Sequence, residues 1–413
     1  MPRQGQCRAG AYDARRMQRA EIPHPWVVWR VGRAGLAEGR IQARGDETYI
    51  VTATPTIQET AMPSTLRDPT TGLERLALAR LPTPLDDAPR LARALGIASL
   101  AIKREDMAGY ALGGNKLRQL DFILAEALAA GADILVTTAG SQSNFCRSLA
   151  GAAAKLGLGC HLHLRAAMGT EMVGNLLLDN LFGATVTFTA VTDPWDTTVA
   201  DEMAAIAAGY AAQGRKPFIV QLTGVSAAVG VCGWMSGAAE LMKDFEARAE
   251  VPDIMVAVCG SGLSLAGLAL GFKHLGCRTR LLGISAQQPA PRLKAWISST
   301  AGEASTLLGI STRLTEDDFD IIDSEIAPGY GKPSPASIAA VRLAGRTEGL
   351  VLDPVYTGKG MAGVVAATRS GMIKPHHAVV FLHSGGTPGL FTHADAFAEE
   401  ALPGETFTGE AAA

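Results

Sequence analysis

The chain predicts an α/β fold built on open parallel sheets, and three observations carry that prediction. From about Leu78, strand-like apolar runs alternate with helix-length segments. The runs are continuously apolar, as strands covered on both faces must be, rather than alternating apolar with polar. At 413 residues the chain exceeds one average domain, so two lobes or one large α/β unit are expected.

Taken in order, the first sixty or so residues stand apart. Residues 1–45 are rich in Arg and Gly and carry Pro23, Pro25, Trp26 and Trp29 without sustained periodicity. An Arg-rich, acid-poor start suggests a transit peptide, but the serines and a clear apolar face are missing. The expectation is a weakly structured extension over 1–76, with Met62 as an alternative start of translation. Next comes a helix whose apolar face is Leu117, Leu120, Ile123, Leu124, Ala127 and Leu128, with Gly131 as its stop. Strands follow at Ile134–Thr138, Cys160–Leu164, Thr185–Thr189 and Pro217–Gln221, separated by helices at Phe145–Leu156, Gly174–Phe182 and Thr197–Gln213. Further strands are expected at Ile254–Val258, Leu281–Ser285, Ile321–Ser324 and Ala378–Leu382, and a frayed tail over 401–413.

Composition narrows the function classes. Hydrophobic residues make up 47% and charged residues 19%, which excludes a mostly disordered chain. The net charge of −3 suggests neither nucleic acid nor an anionic membrane as partner. A small substrate held by local groups fits better. No apolar run is long enough to span a bilayer, and no signal peptide opens the chain. The cysteines Cys7, Cys146, Cys160, Cys232, Cys259 and Cys277 form no C-x-x-C pair, which suits reduced thiols in a cytoplasmic protein.

Three strands run straight into small, donor-rich turns: Gly140–Asn144, Gly260–Ser264 and Ser384–Thr387. Ligands of open parallel sheets sit outside the carboxyl ends of the strands. Glycines there allow close backbone approach, and the amides that open the next helix bind anions. The best phosphate candidate is Gly260-Ser261-Gly262-Leu263-Ser264. A dinucleotide reading competes with it, but the spacing runs on to Gly267, and the next strand ends Gly283-Ile284-Ser285-Ala286-Gln287 without an acid for a ribose. Gly113-Gly114-Asn115 delivers Lys116 to a helix start, where positive partial charge disfavours an ammonium and favours a neutral, nucleophilic amine. His161 and His163 share a strand face, but no carboxylate or cysteine pair lies near them in sequence, so packing is expected rather than a metal site. No Gly-x-Ser-x-Gly elbow is present, and Ser143 has no recognisable triad partners.

Six ordered motifs extend these observations: IKRED at 102–106, GGNKLRQLDF at 113–122, QSN at 142–144, APGYGKP at 327–333, LDPVYTGKGMAG at 352–363 and FLHSGGTPGLF at 381–391. With LPTPLDDAPRLARALG from Leu81, they resemble the pyridoxal-phosphate-dependent D-cysteine desulfhydrase and 1-aminocyclopropane-1-carboxylate deaminase family, of the tryptophan synthase β-like or type II fold. The resemblance implies two parallel-sheet lobes with pyridoxal 5'-phosphate in the cleft. A small lobe over 120–226 would be inserted into a large cofactor-binding lobe over 77–119 and 227–400. It also implies a homodimer.

The same resemblance assigns roles. Lys116 would hold the cofactor as a Schiff base and then carry the Cα proton. Asn144 would bond the ring hydroxyl, and Ser143 would lie beside the substrate carboxylate. The turn Gly260, Ser261, Gly262, Leu263 and Ser264 would hold the phosphate, and Ser384 would face the pyridine nitrogen. Tyr330 and Tyr356 would flank the substrate. Three departures matter: Leu263 and Ser264 stand where the family commonly has glycine and threonine; Phe145 follows Ser-Asn where desulfhydrases commonly carry histidine; and Thr357 follows Tyr356 where the deaminases have glutamate. The implied reaction is β-elimination from a small amino acid, giving pyruvate and ammonia, with D-cysteine first and L-cysteate and 3-chloroalanine close behind. Ring-opening deamination is disfavoured by Thr357. A dinucleotide-binding oxidoreductase and a catalytically impaired cofactor binder remain the alternatives of different class.

Overall fold

The computed structural model describes residues 68–166, 169–191, 193, 196 and 198–398, so the expectations for residues 1–67 and for the tail lie outside the described residues. Residues 68–76, which the sequence reading placed in the extension, are tied to the folded body. Asp68 accepts a hydrogen bond from Ser236 Oγ at 2.7 Å, and Leu76 donates its amide to Asp121 O at 2.8 Å.

Among the described residues, ten strands form two sheets: β1 (Leu85–Asp87), β2 (Ser99–Arg104), β3 (Ile134–Gly140), β4 (Gly159–Arg165), β5 (Thr185–Thr189), β6 (Pro217–Ile219), β7 (Ile254–Cys259), β8 (Arg280–Ser285), β9 (Asp320–Ile322) and β10 (Ala378–His383). The six-stranded sheet has the order β1-β2-β10-β7-β8-β9, and the four-stranded sheet the order β5-β4-β3-β6. Every pairing is parallel except that of the short edge strand β1 with β2. The helices are α1 (Pro89–Leu95), α2 (Lys116–Ala129), α3 (Asn144–Leu156), α4 (Gly174–Leu181), α5 (Thr198–Ala212), α6 (Ala227–Arg248), α7 (Leu263–Leu275), α8 (Ala290–Leu307), α9 (Pro335–Glu348), α10 (Thr357–Arg369) and α11 (Thr387–Phe391).

The pleat of β10 explains how the larger sheet is covered. Val380 and Leu382 face one apolar core and Val379 and Phe381 the other, because successive side chains of a strand point to opposite faces. The first core runs through α2, α6 and α7 to the smaller sheet; the second lies under α1, α9 and α10. Each large apolar side chain buried in this way stabilises by about 1.5–3 kcal/mol. Small residues set the closeness of α6 and α7. A Cβ on Gly267 would stand 2.4 Å from that of Trp234, and one on Gly271 2.5 Å from that of Ala238. Gly267 therefore serves the packing of α7 against α6.

Candidate active site

Lys116 opens α2 on a constrained approach. Ala111, Leu112, Gly113 and Gly114 all have positive φ (48, 63, 62 and 114°), a costly run for the two residues that carry a Cβ. Glycine is required at 113, where a Cβ would lie 2.2 Å from Asp106 O. The Gly385 turn presses on the same loop, since a Cβ there would meet Gly114 Cα at 2.8 Å. Asn115 precedes the helix without capping it: its side-chain amide donates to Ser264 Oγ at 2.8 Å, which ties the start of α2 to the start of α7.

The Lys116 amine faces a cavity of about 1030 Å³, mouth included, at the carboxyl ends of strands from both sheets. Burial lowers the amine to about 8, only weakly opposed by the Cys259 thiol. Among the described residues Lys116 has no hydrogen-bond acceptor or carboxylate, and no acidic side chain lines this cavity.

The three strand-end turns converge here. After β3, Ser143 caps α3: its Oγ accepts from the amides of Phe145 and Cys146, each at 3.2 Å. Asn144 Oδ1 accepts from Asn175 Nδ2 at 2.9 Å, an orientation that leaves the Asn144 amide donors for the cavity. Phe145 is buried and also lines it. After β7, Gly262 adopts φ 84° at the start of α7 and presents the helix amides, and a Cβ there would strike Ile297 and Leu293 at 2.9 Å. Ser261 Oγ is buried with no hydrogen-bond partner. Ser264 Oγ accepts from Asn115 and keeps its own proton to donate. Leu263 contributes only its backbone, because its side chain is buried against Gly230. After β10, Ser384 lines the cavity while its carbonyl holds the Asn115 amide at 3.0 Å.

Tyr330 and Tyr356 line the same cavity, and their hydroxyls share a 2.6 Å hydrogen bond. Tyr356 packs edge-on against Tyr330 and close to Gly260, where a Cβ would come within 3.2 Å of its ring. Burial raises both phenols. Within the pair, the hydrogen bond offsets part of the rise at Tyr330 and adds to it at Tyr356.

An orphaned buried hydroxyl at a helix start, an uncompensated lysine and an oriented asparagine are the donors that a phosphate-bearing, aldehyde-bearing ring requires. The chain fits pyridoxal phosphate. All the expected site residues, Lys116, Ser143, Asn144, Phe145, the Gly260–Ser264 turn, Tyr330, Tyr356 and Ser384, line the one cavity. Thr357 does not. It is buried with its hydroxyl 2.7 Å from Asp353 Oδ1, inside the cap of α10. Arg165, Gln221, Thr223 and Gln287 also line the cavity and were missed in the sequence, although each follows or ends a parallel strand and the strand-end rule reaches them. Arg147 was missed too. It is buried behind Asn144, donates to Gly113 O at 2.8 Å and so braces the Lys116 loop. The histidines prove to be packed. His163 bonds Thr187 Oγ1 at 2.8 Å and Glu202 at 3.0 Å, a carboxylate that α5 brings from a distance in sequence.

Comparison with known proteins agrees with this chemistry. A model of the family described as pyridoxal-phosphate dependent enzyme matches residues 76–385, and the chain belongs to that family. D-cysteine desulfhydrase of Klebsiella pneumoniae (strain 342) is 37% identical over 330 residues, covering 78% of this chain and 97% of that protein. The protein of the same name from Salmonella typhi is also 37% identical, over 333 residues with the same coverage. Among solved structures, an ACC deaminase homologue superposes with a TM-score of 0.73 at 31% identity, covering 81% of this chain and 98% of its own. Escherichia coli diaminopropionate ammonia lyase shares the fold at a TM-score of 0.59 and 16% identity, covering 82% of this chain and 91% of its own. The fold is that of the type II pyridoxal-phosphate enzymes, and pyridoxal phosphate is the cofactor. The dinucleotide alternative falls with this family membership.

Proposed function

We propose that the protein is a lyase that removes the Cβ substituent of a small amino acid, with D-cysteine desulfhydrase chemistry as the leading form: pyruvate, ammonia and sulfide from D-cysteine. The observation that carries this reading is the Lys116 amine, lowered to about 8 and free of any acceptor among the described residues, in a cavity that the Tyr330–Tyr356 pair also lines. The 37% identity to D-cysteine desulfhydrases over most of both chains supports it. When bound, pyridoxal phosphate supplies an electrophilic carbon for the substrate amine and a conjugated ring that takes up the electrons of the Cα–H bond.

The chain's own groups would do the rest. The amides opening α7, with the Ser261 and Ser264 hydroxyls, hold the phosphate. Asn144 donates to the ring hydroxyl, and Ser384 faces the ring nitrogen as a neutral hydroxyl. Ser143 and the start of α3 orient the substrate carboxylate. Lys116 takes the Cα proton, and Tyr330 and Tyr356 pass a proton to the leaving group or to a substrate atom nearby. The larger sheet would form the core of a lobe comprising 77–119 and 227–400, and the smaller sheet that of a lobe comprising 120–226. A homodimer working in the cytoplasm is the expected setting; none of the described helices is long and apolar enough to cross a membrane.

L-cysteate sulfo-lyase activity, or another β-substituted amino acid lyase, is the alternative. 1-aminocyclopropane-1-carboxylate deamination is disfavoured because Thr357 stands where those deaminases have glutamate. The test is a purified yellow protein, bleached by borohydride, assayed for pyruvate with D- and L-cysteine, D- and L-cysteate and 3-chloroalanine. Colour without pyruvate from any of them would leave a cofactor binder and overturn the lyase reading.

A further inference from the structure

Ser143, Asn144, Arg165, Tyr330 and Tyr356 line both the Lys116 cavity and a second chamber of about 890 Å³ beyond it. They form the neck between the two, and Arg165 is the one cation among them. It is held there by register: β4 pairs in parallel with β3, and Arg165 stands opposite Gly140, where β3 leaves the sheet toward Ser143. Its guanidinium makes a single long hydrogen bond, 3.5 Å to Thr138 Oγ1, and no carboxylate among the described residues pairs with it. The one acid of the second chamber, Asp353, is engaged elsewhere. It accepts from the amides of Val355, Tyr356 and Thr357 and from the Thr357 hydroxyl.

A half-buried guanidinium with most of its five donors unspent, in a neck without acids, is built for an anion. The cofactor phosphate has its own donors at the start of α7, and the substrate carboxylate has those at the start of α3. An arginine beside the tyrosine pair is left for the far end of the substrate. We infer that Arg165 selects amino acids whose Cβ substituent is itself an oxyanion, a sulfonate or sulfate ester in class, over those with a neutral substituent. The inference rests on the elimination reading and, within it, favours the cysteate form over D-cysteine.

The chemistry gives the arginine a second use. In the elimination the Cα–H bond breaks with its proton going to Lys116. The Cβ–X bond then breaks with the electron pair leaving on X, and water converts the remaining enamine to pyruvate and ammonium. No oxidant or reductant is needed. A sulfonate departs as sulfite, with one more negative charge than it carried when attached. A fixed guanidinium beside the departing group stabilises that growth in charge more than it stabilises the bound substrate.

The experiment compares the holoenzyme with its Arg165→Gln and Arg165→Lys variants on two oxyanion substrates, cysteate and serine O-sulfate, and one neutral substrate, 3-chloroalanine, each as both enantiomers. The ratio of kcat/KM for oxyanion over neutral substrate is expected to fall by ~100-fold in Arg165→Gln, the scale of a lost charge-assisted pair, and to recover in part in Arg165→Lys. An unchanged ratio, including an equal loss on every substrate, overturns the inference, because it would mark Arg165 as a carboxylate receptor or a structural residue. A binding readout separates this from the parent reading: 3-sulfopropanoate and butanoate are titrated into holoenzyme by calorimetry. Tighter binding of 3-sulfopropanoate that is lost in Arg165→Gln supports the inference even if no amino acid yields pyruvate, a result that would remove only the elimination reading. Equal binding of the two acids overturns it.

Discussion

Two cationic regions lie within one helical turn of each other and are treated in opposite ways. Arg118 and Lys103 are fully buried and fully answered. Arg118 is bonded to Glu105 at 2.8 and 2.9 Å and to Glu240 at 2.7 and 3.0 Å, with its guanidinium over the Trp234 ring. Lys103 meets Glu240 at 2.7 Å, Asp244 at 2.6 Å and Thr83 O at 2.8 Å. Lys116, two residues before Arg118 on the same helix, has no acceptor at all among the described residues. A cation that serves the fold is neutralised when it is taken from water, because leaving it unpaired costs several kcal/mol. The chain pays that cost at Lys116 and not at Lys103 or Arg118, which sets the lysine apart from these two neighbours.

Removing Lys116 should produce the largest effect. Lys116→Ala is expected to lower elimination by ~10⁴-fold or more, beyond the usual contribution of a placed proton acceptor, and to abolish the visible absorbance of the holoenzyme. Its effect on stability should run the other way. The folded amine titrates near 8 and the unfolded one near 10.5, so between those values the folded apoenzyme binds fewer protons and its stability rises with pH. Below pH 8 the apo form of Lys116→Met should therefore exceed the apo wild type by ~1–3 kcal/mol. The gain should vanish above pH 10.5. Urea unfolding at pH 7 and 11 measures it, and a variant less stable at pH 7 would contradict the uncompensated charge.

The answered region should respond with the opposite sign. Glu240→Gln leaves Lys103 and Arg118 short of one negative charge and is expected to cost ~3–5 kcal/mol. Burial alone would raise the Glu240 carboxyl, but Arg118 and Lys103 outweigh it and hold it near 2. Its contribution is therefore complete above pH 4.5 and lost as the pH falls toward 2. The gap between wild type and Glu240→Gln in denaturant unfolding should close over that window. A gap that persists unchanged at pH 2.5 would assign the loss to packing instead.

The two regions also differ in how much of them the sequence betrayed. Lys116, the Gly260 turn and Ser384 were legible because each is a local pattern: a strand, a glycine turn and a helix start within a few residues. Eight of the strands could be read for the same reason. Strand β2 could not, since Lys103 and Arg104 interrupt its apolar run, yet it lies inside the larger sheet. Its polar residues are tolerated only because α6 brings Glu240 and Asp244 from more than 130 residues away. The 2.6 Å meeting of Tyr330 with Tyr356 and the place of Arg165 in the neck were illegible on the same grounds, because both depend on which strand ends the topology brings together.

The tyrosine pair gives a smaller and purely catalytic prediction. Tyr356→Phe removes a hydroxyl of the cavity wall and breaks the bond to Tyr330. The elimination kcat should fall by ~10²-fold, as for loss of one proton-transfer group, with the cofactor absorbance and melting temperature retained. A loss confined to KM would make the pair a binding surface rather than a proton carrier.

Asp179 sharpens the comparison from the acidic side with the smallest effect. It is fully buried on α4, and neither carboxyl oxygen has a hydrogen-bond partner. Burial raises it to about 8, and Arg147 only partly offsets the rise. Like Lys116 it is an unanswered group, but it lies outside the cavity, so the fold can be relieved of it without touching the chemistry. A carboxyl raised above its ordinary 3.8 holds its proton in the folded chain after the unfolded chain has released it. Folding stability therefore declines as the pH rises from 3.8 to about 8 and is flat beyond. Asp179→Asn keeps the size and removes the titration. At pH 3.5 it should be nearly neutral, and at pH 9 it should stabilise by ~1–3 kcal/mol, with kcat unchanged at pH 9. Unfolding curves at the two pH values decide the matter: a difference that does not grow with pH would mean that Asp179 is ionised in the fold and answered by Arg147 after all.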